Sequence, residues 1–241
     1  VTWRFIIGAA LAWAWVAASP RRRSAARRVD PRHLAATILL GVLFTGNAGT
    51  YYAALETVPA ALASVLGYTY PVIVALLSIR FVTRLPGRRP WIALVLASAG
   101  VVLALGGIDL SSAPPVGGIV LVMASSVIYS IWIIASALLS GERRDRIAAE
   151  GGDPGGSTGD AATTTAVMIS SSALVFAILS IVSGGSVDPR DVPSAAWPSV
   201  IAVGFLASFL AIQGFYAGAR RVGAARAALI STVEPAIIVA L

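Results

Sequence analysis

Apolar residues gather in eight long runs, and most polar residues fall between those runs. The runs occupy residues 3–19, 34–54, 58–80, 90–107, 115–139, 163–184, 196–219 and 222–241. Most of them reach roughly 18 residues, the length that crosses the hydrocarbon core of a bilayer. Soluble helices would show an apolar face and a polar face within each run. The pattern therefore predicts an all-α integral membrane protein with eight membrane-spanning helices in this chain.

The charged residues divide the loops into two classes. All 18 basic residues are arginine, and apart from Arg4 at the head of the first run and Arg190 in the loop 185–195 they collect in or beside every second loop, beginning with six between residues 21 and 32. The intervening loops carry acidic residues, which are Glu56, Asp109, Asp188 and Asp191. Basic loops stay in the cytoplasm, so the sequence predicts odd-numbered loops inside and even-numbered loops outside. Nucleic-acid binding is the competing interpretation of arginine runs. The recurrence of the runs at every second crossing disfavours it.

The sequence contains an internal repeat with an offset of 164 positions. Without a gap, Tyr52-Ala53 lies over Tyr216-Ala217, and Pro71 lies over Pro235. Three consecutive apolar runs superpose with this single offset. The loop at Glu56 is predicted outside, whereas its partner at Arg220 and Arg221 is predicted inside. Equivalent loops on opposite sides indicate an inverted repeat, which is typical of secondary transporters.

The repeat predicts two units of five helices each. The first unit covers residues 1–113 and the second covers 114–241, with a flexible, glycine-rich cytoplasmic loop at 141–162. The offset leaves the first unit without its first helix and the second without its last. We therefore expect a fragment of a ten-helix protein, with a natural eight-helix protein as the alternative.

Two motifs carry a resemblance to a known family. The segment 54–64 reads Ala-Leu-x-x-Val-Pro-Ala-Ala-x-Ala-Ser before a helix with a central proline, and 223–227 reads Gly-Ala-Ala-Arg-Ala before Glu234-Pro235. With Arg4 at the head of the first run, this order resembles the EamA-type permeases of the drug/metabolite transporter superfamily, here covering helices two to nine. The resemblance implies two inverted five-helix halves and secondary transport of small metabolites, often outward. It also implies a central cavity lined by the segments 34–54, 58–80, 115–139, 196–219 and 222–241.

The matched prolines and one acidic residue are the sharpest candidate functional positions. Pro71 and Pro235 predict helix breaks near the bilayer midplane, where repeat transporters bind substrate. Glu234 lies about halfway along an apolar run, where a carboxylate usually faces a cavity or a partner. We predict a role in proton coupling for Glu234, with a purely structural role in helix packing as the alternative. Tyr70 occupies the equivalent position of the first repeat.

A small set of polar and aromatic side chains within the runs predicts a substrate pocket, because ligand sites place few polar groups among apolar walls. Interhelical hydrogen bonding is the structural alternative for Asn47 and Gln213. The predicted substrate-binding residues are Asn47, Tyr68, Tyr70, Trp132, Gln213 and Tyr216.

These features predict a multi-pass permease of the cell membrane, in a bacterium the plasma membrane, that moves small metabolites such as amino acids, with export as the expected direction. The alternatives are a non-catalytic membrane scaffold and an intramembrane enzyme that uses Glu234. An enzyme is disfavoured because Glu234 has no second membrane carboxylate beside it, and His33 is the single histidine in a chain without cysteine. No catalytic residue, metal site, cofactor or nucleic-acid partner is predicted. The expected partners are the lipid bilayer and a small-molecule substrate, and the oligomeric state is left open.

Overall fold

The structure is a computed structural model that describes residues 1–81, 87–105, 114–140 and 160–231. Every regular element in these ranges is a helix. The α-helices are α1 Thr2–Ala17, α2 Pro20–Ala26, α3 Pro31–Ala54, α4 Ala60–Gly67, α5 Tyr70–Phe81, α6 Arg89–Leu105, α7 Val116–Ser140, α8 Ala161–Val182, α9 Trp197–Val203, α10 Ala211–Val222 and α11 Ala224–Ser231. Short 3-10 turns at Pro189–Asp191 and Ser194–Ala196 precede α9, and a π-helical segment, Gly204–Leu210, joins α9 to α10.

Membrane-spanning helices account for most of the described chain. Five stretches are long and apolar enough to cross a bilayer, namely Pro31–Ala54, Ala60–Phe81, Val116–Leu139, Ala161–Val182 and Ser194–Ala219. Thr2–Ala17 and Trp91–Gly100 are shorter apolar helices. The prediction of an all-helical membrane protein is thereby confirmed. The eighth predicted run, 222–241, is described only as far as Ser231. The predicted loop 141–162 lies outside the described residues up to position 159.

The structure differs from the sequence prediction at the end of the first run. The run 3–19 was expected to lead directly into a loop, but α1 ends at Ala17 and a short helix, α2, begins at Pro20. Proline suits a first helical position because its fixed φ matches the helix and its missing N–H would have no helical partner there. The arginine-rich segment after α1 is therefore partly helical.

The described chain forms two compact units, which divide within α3 and within α10. The first unit comprises Val1–Thr45 and Gly155–Gly218, and the second comprises Gly46–Pro154 and Ala219–Leu241. Each unit therefore contains segments from both predicted repeats.

In the first unit, α1 and α8 pack side by side and run antiparallel. The Thr2 hydroxyl donates to the Phe176 carbonyl at 3.4 Å, and Trp13 Nε1 donates to Ser170 Oγ at 2.9 Å. The Phe5 ring stacks on the Phe176 ring with centroids 5.0 Å apart. Aromatic stacking and apolar burial thus hold the two helices together near the start of α1.

Helices α3 and α8 of the first unit run in the same direction and are joined by serine hydroxyls. Ser171 Oγ donates to the Ile38 carbonyl at 3.0 Å, and Ser172 Oγ donates to the Gly41 carbonyl at 2.8 Å. Near the beginning of both helices, His33 Nε2 and Thr164 Oγ1 form a hydrogen bond of 3.1 Å. Small residues such as these let membrane helices approach closely, where lipid provides no hydrophobic drive for association.

The π-helical segment of the first unit packs against α1 through small residues. A Cβ added at Gly8 would lie 2.7 Å from the Ser208 Cβ, and one added at Gly204 would lie 3.0 Å from the Ile7 Cβ. Two glycines, one on each side, therefore permit this contact. The extra residue of a π-turn shifts which side chains face the neighbour, and such turns are frequent at functional sites.

The second unit is built around α7. The helix pair α4–α5 runs parallel to α7, since Gly67 pairs with Ser126 and Tyr70 pairs with Ser130. One apolar cluster of buried residues joins the end of α3, α4 and α7 and consists of Ala54, Val58, Leu62, Ala63 and Val122. A second cluster joins α5, α6 and α11 through Ala75, Leu94 and Ala225. These clusters fix the broken α4–α5 span against its neighbours.

Candidate functional site

The span predicted at 58–80 is broken between α4 and α5. Helix α4 ends at Gly67, α5 begins at Tyr70, and tight backbone bonds such as Thr69 N–H to the Leu66 carbonyl at 3.2 Å turn the chain between them. Pro71 is buried as the second residue of α5. It carries no N–H and therefore cannot donate to the Gly67 carbonyl four residues earlier. The predicted break at Pro71 thus takes the form of an interrupted helix.

A serine on the parallel helix supplies the hydrogen bond that Pro71 cannot make. Ser126 Oγ lies 3.1 Å from the Gly67 carbonyl oxygen across the α4–α7 contact and equally far from the Val122 carbonyl oxygen of its own helix, so its one proton serves both. In lipid an unpaired carbonyl would cost several kcal/mol, so a broken helix needs such a donor. One turn further on, Ser130 Oγ lies 2.7 Å from the Ser126 carbonyl oxygen and 3.2 Å from the Tyr70 carbonyl oxygen. Helix α7 therefore contacts both sides of the break and offers a donor to the Gly67 carbonyl.

Aromatic rings extend from the break along α7. Tyr68 and Tyr70 lie with their ring centroids 6.2 Å apart, and the Tyr70 ring meets the Tyr129 ring edge-on at 4.9 Å. Tyr129 in turn stacks on Trp132 at 5.6 Å with an interplanar angle of 9°. Tyr70 and Trp132 are buried, whereas Tyr68 and Tyr129 are half-buried. We call these four side chains, Tyr68, Tyr70, Tyr129 and Trp132, the aromatic row.

Asn47 of α3 is held by α7 next to the same region. Ser125 Oγ lies 2.7 Å from Asn47 Oδ1 and 3.1 Å from the Asn47 carbonyl oxygen. This contact is an interhelical hydrogen bond, which is the structural alternative that the sequence left open for Asn47. It engages the acceptor end of the amide, which leaves the two N–H donors of Nδ2 for another acceptor. Asn47 is half-buried.

The structure places four of the predicted site residues in the second unit. Asn47 bonds Ser125 of α7, Tyr70 contacts Tyr129 of α7 and Tyr68, and Trp132 belongs to α7. Gln213 and Tyr216 lie on α10 in the first unit, and both are at least half-buried.

Two of the predicted functional positions have no structural description. Glu234 and Pro235, the predicted coupling residue and the second predicted helix break, lie outside the described residues.

Two serines with structural importance were missed by the sequence prediction. Ser125 and Ser130 are buried on α7; Ser125 meets α3, whereas Ser130 shares the face of Ser126. Ser126 and Ser130 are four residues apart, which is the spacing of small residues that lets membrane helices approach and share hydrogen bonds. That spacing was available as a signal in the sequence, but it does not say which backbone carbonyls the hydroxyls reach.

Within the part of the chain that the structure describes, no group of His, Cys, Asp or Glu side chains is arranged to hold a metal ion. Asn47, the serines of α7 and the aromatic row offer neutral hydrogen bonds beside aromatic rings. Among the described residues, this group can hold a polar molecule without an ionised side chain.

Several apolar spans, one of them interrupted at a proline beside neutral polar groups, define an integral membrane protein of the transporter class. The chain belongs to the EamA-like transporter family, whose model matches residues 1–106 and 154–241. The family is one of membrane transporters in the drug/metabolite transporter superfamily, which confirms the family resemblance.

Solved structures share this fold. One crystal structure of a protein superposes with a TM-score of 0.69 at 22% sequence identity, over 99% of this chain and 77% of that chain. No curated protein matches the chain.

Proposed function

We propose that this protein is a secondary transporter that carries small polar metabolites, amino acids foremost, outward across the plasma membrane of a bacterium. The observation that carries the proposal is the helix break between Gly67 and Tyr70, whose Gly67 carbonyl accepts from Ser126, next to the Ser125 that holds Asn47. Broken helices near the middle of a span are where transporters of this kind place their substrate sites. The outward direction rests on the family resemblance.

The uncharged residues around the helix break support a small substrate without net charge. Helices α4 and α7 contain no charged residue, so the described cluster can recognise a ligand only by neutral hydrogen bonds and ring contacts. The Nδ2 donors of Asn47 suit a carboxylate or carbonyl oxygen, and the half-buried rings of Tyr68 and Tyr129 suit an apolar side chain. A zwitterionic amino acid combines both features.

An inverted repeat would supply the alternating access that such a carrier needs. Helices α1 and α8 superpose in sequence with the offset of 164 residues, and they run antiparallel. Antiparallel equivalents are what an inverted repeat requires, so their orientation supports the assignment of repeats 1–113 and 114–241. Transport would then proceed by movement of one repeat against the other around the site.

The inverted topology predicts that Glu56 and Arg221 face opposite sides of the membrane. Both side chains are exposed, and the chain contains no cysteine, so single cysteines at these positions report without background. We expect a membrane-impermeant maleimide to label Glu56→Cys in intact cells, whereas Arg221→Cys should react only after permeabilisation. Labelling of both positions from the same side would contradict the inverted repeat.

The substrate site predicts a large transport defect for Asn47→Ala. Loss of a buried hydrogen bond to a polar ligand costs about 1–3 kcal/mol, which corresponds to roughly a 5- to 150-fold increase in KM. The measurement is uptake of a panel of labelled amino acids into everted vesicles, where export appears as accumulation. Ser98→Ala is the control, since Ser98 lies on α6 and donates to the Leu94 carbonyl of its own helix at 2.8 Å.

The Asn47→Ala variant and its control together distinguish a role in substrate binding from a role in folding. A normal KM in Asn47→Ala together with normal folding would show that Asn47 serves only α3–α7 packing. Absence of flux for every member of the panel in the unmodified protein would reject amino acids as the substrate class.

A further inference from the structure

An arginine-rich surface follows the end of α1. It consists of Arg21, Arg22 and Arg23 in α2 and of Arg27 and Arg28 in the turn that follows, and we call these five residues the arginine patch. Arg22 is half-buried and the other four are exposed. Asp30 is the one acidic residue between positions 20 and 32. Among the residues that the structure describes, no member of the patch forms an ion pair, so its charge is uncompensated within the first unit.

Arg22 differs from its neighbours because the protein fixes its guanidinium. The Arg22 Cζ atom lies 4.0 Å from the centroid of the Trp15 ring, and Nη1 donates to the Trp15 carbonyl at 3.2 Å. The ring contact and the carbonyl engage one face and one N–H of the guanidinium. The remaining N–H donors keep the fork geometry that suits the oxygens of a phosphate.

The two tryptophans of α1 indicate where this guanidinium lies relative to the bilayer. Trp13 and Trp15 are exposed by 41% and 46%, although both belong to an apolar helix. Exposed tryptophans near the end of a spanning helix occupy the membrane–water interface, at the level of the lipid headgroups. Arg22 reaches back toward this level from α2. This puts Arg22 at the level of lipid phosphates, on the side that the loop charges predict to be cytoplasmic.

We propose that the arginine patch binds the phosphate groups of anionic phospholipids. Within the patch, Arg22 is the side chain that its contacts with Trp15 hold in place. The positive-inside rule accounts for a basic loop, but it requires only charge and would be met equally by mobile side chains. It does not account for a guanidinium stacked on an exposed indole and bonded to a helix-terminal carbonyl. Basic clusters immediately cytoplasmic of a spanning helix attract anionic headgroups, and five exposed or half-exposed arginines against one acid provide the complementary charge.

The test compares lipids with the purified full chain. Thermal unfolding is followed in neutral detergent micelles that contain either phosphatidylglycerol or phosphatidylcholine, and bound lipid is counted by native mass spectrometry. We expect phosphatidylglycerol to raise the melting temperature and to remain bound, with an effect that falls as salt increases. Inorganic phosphate at the same concentration should not reproduce the shift, because a lipid is held at the interface by its acyl chains as well.

Single substitutions distinguish an effect on lipid binding from an effect on topology or folding. Arg22→Gln should weaken phosphatidylglycerol binding about fivefold. Trp15→Leu should also weaken it although every charge remains. Arg190→Gln, at an exposed site in the predicted outer loop, is the matched control and should leave binding unchanged. Each variant is first compared in phosphatidylcholine, where unchanged unfolding shows an intact fold.

Several outcomes would overturn the proposal. They are equal stabilisation by the two lipids, equal stabilisation by inorganic phosphate, and undiminished phosphatidylglycerol binding in both Arg22→Gln and Trp15→Leu. If a variant is already destabilised in phosphatidylcholine, the lipid count on Arg22→Lys decides. A lysine keeps the charge but loses the planar fork, so binding equal to that of the unmodified protein would reject the role of the fixed guanidinium.

Discussion

Gly41→Ala is expected to lower the free energy of unfolding by about 3 kcal/mol, since overpacking a close helix contact forces the backbones apart. A Cβ at this position would fall on the Ser171 side chain and on the Met168 carbonyl oxygen of α8. The serine could rotate, but the carbonyl belongs to a helix backbone. The shift would also stretch the 2.8 Å hydrogen bond from Ser172 Oγ to the Gly41 carbonyl.

Gly49→Ala is the matched control because it makes the same substitution eight residues later in α3. No atom lies within 4 Å of a Cβ at Gly49, so the change adds a methyl group in open space. Alanine also favours a helix over glycine by up to about 1 kcal/mol. Unfolding of both variants in detergent, followed by tryptophan fluorescence, measures the difference. Equal stability of the two would contradict the close α3–α8 contact.

Glu234→Gln is expected to abolish proton-driven accumulation while leaving substrate exchange in place. The prediction rests on the sequence, because Glu234 lies outside the described residues. A proton-coupled carrier needs a group whose protonation differs between its inward and outward states. A carboxylate that moves between a wet and a drier environment meets this need, since burial favours its neutral form. Glutamine keeps the size of the side chain and removes the titration.

The measurement compares accumulation driven by a pH gradient with exchange at equal pH in reconstituted vesicles. Glu56→Gln is the control, because Glu56 is exposed in the turn after α3. This substitution removes one carboxylate that lies outside the spans. Gradient-driven flux in Glu234→Gln equal to that of the unmodified protein would assign Glu234 to helix packing. Transport that ignores the pH gradient in the unmodified protein would identify a facilitator instead.

The apolar runs were sufficient to predict the class of protein and most of its helices. A run long enough to cross a bilayer must satisfy its backbone within itself, and in a single segment only a helix does so. For this reason α3, α7 and α8 begin and end within a few residues of the predicted runs. Helix α5 begins at Tyr70, one residue before Pro71, and the missing N–H that favours an interruption there is a property of proline itself.

Helix α2 and the π-helical segment were not predicted, for related reasons. Residues 20–26 are too polar to register as a span, and a helix of this length depends on packing against its neighbours more than on propensity. The segment Gly204–Leu210 is as apolar as any run around it. The close contact of Gly204 and Ser208 with α1 accompanies the wider turn, and the periodicity of apolar residues does not record such a contact.

The sequence by itself determined that the chain spans a membrane and which polar side chains lie within the apolar runs. Only the tertiary structure decided how those polar groups are used. Ser125 meets Asn47 across 78 positions of sequence, and Ser126 meets the Gly67 carbonyl across 59. A hydroxyl can donate to any carbonyl that packing brings within about 3 Å. Its partner is therefore fixed by which helix faces meet, and not by the residue or its neighbours in sequence.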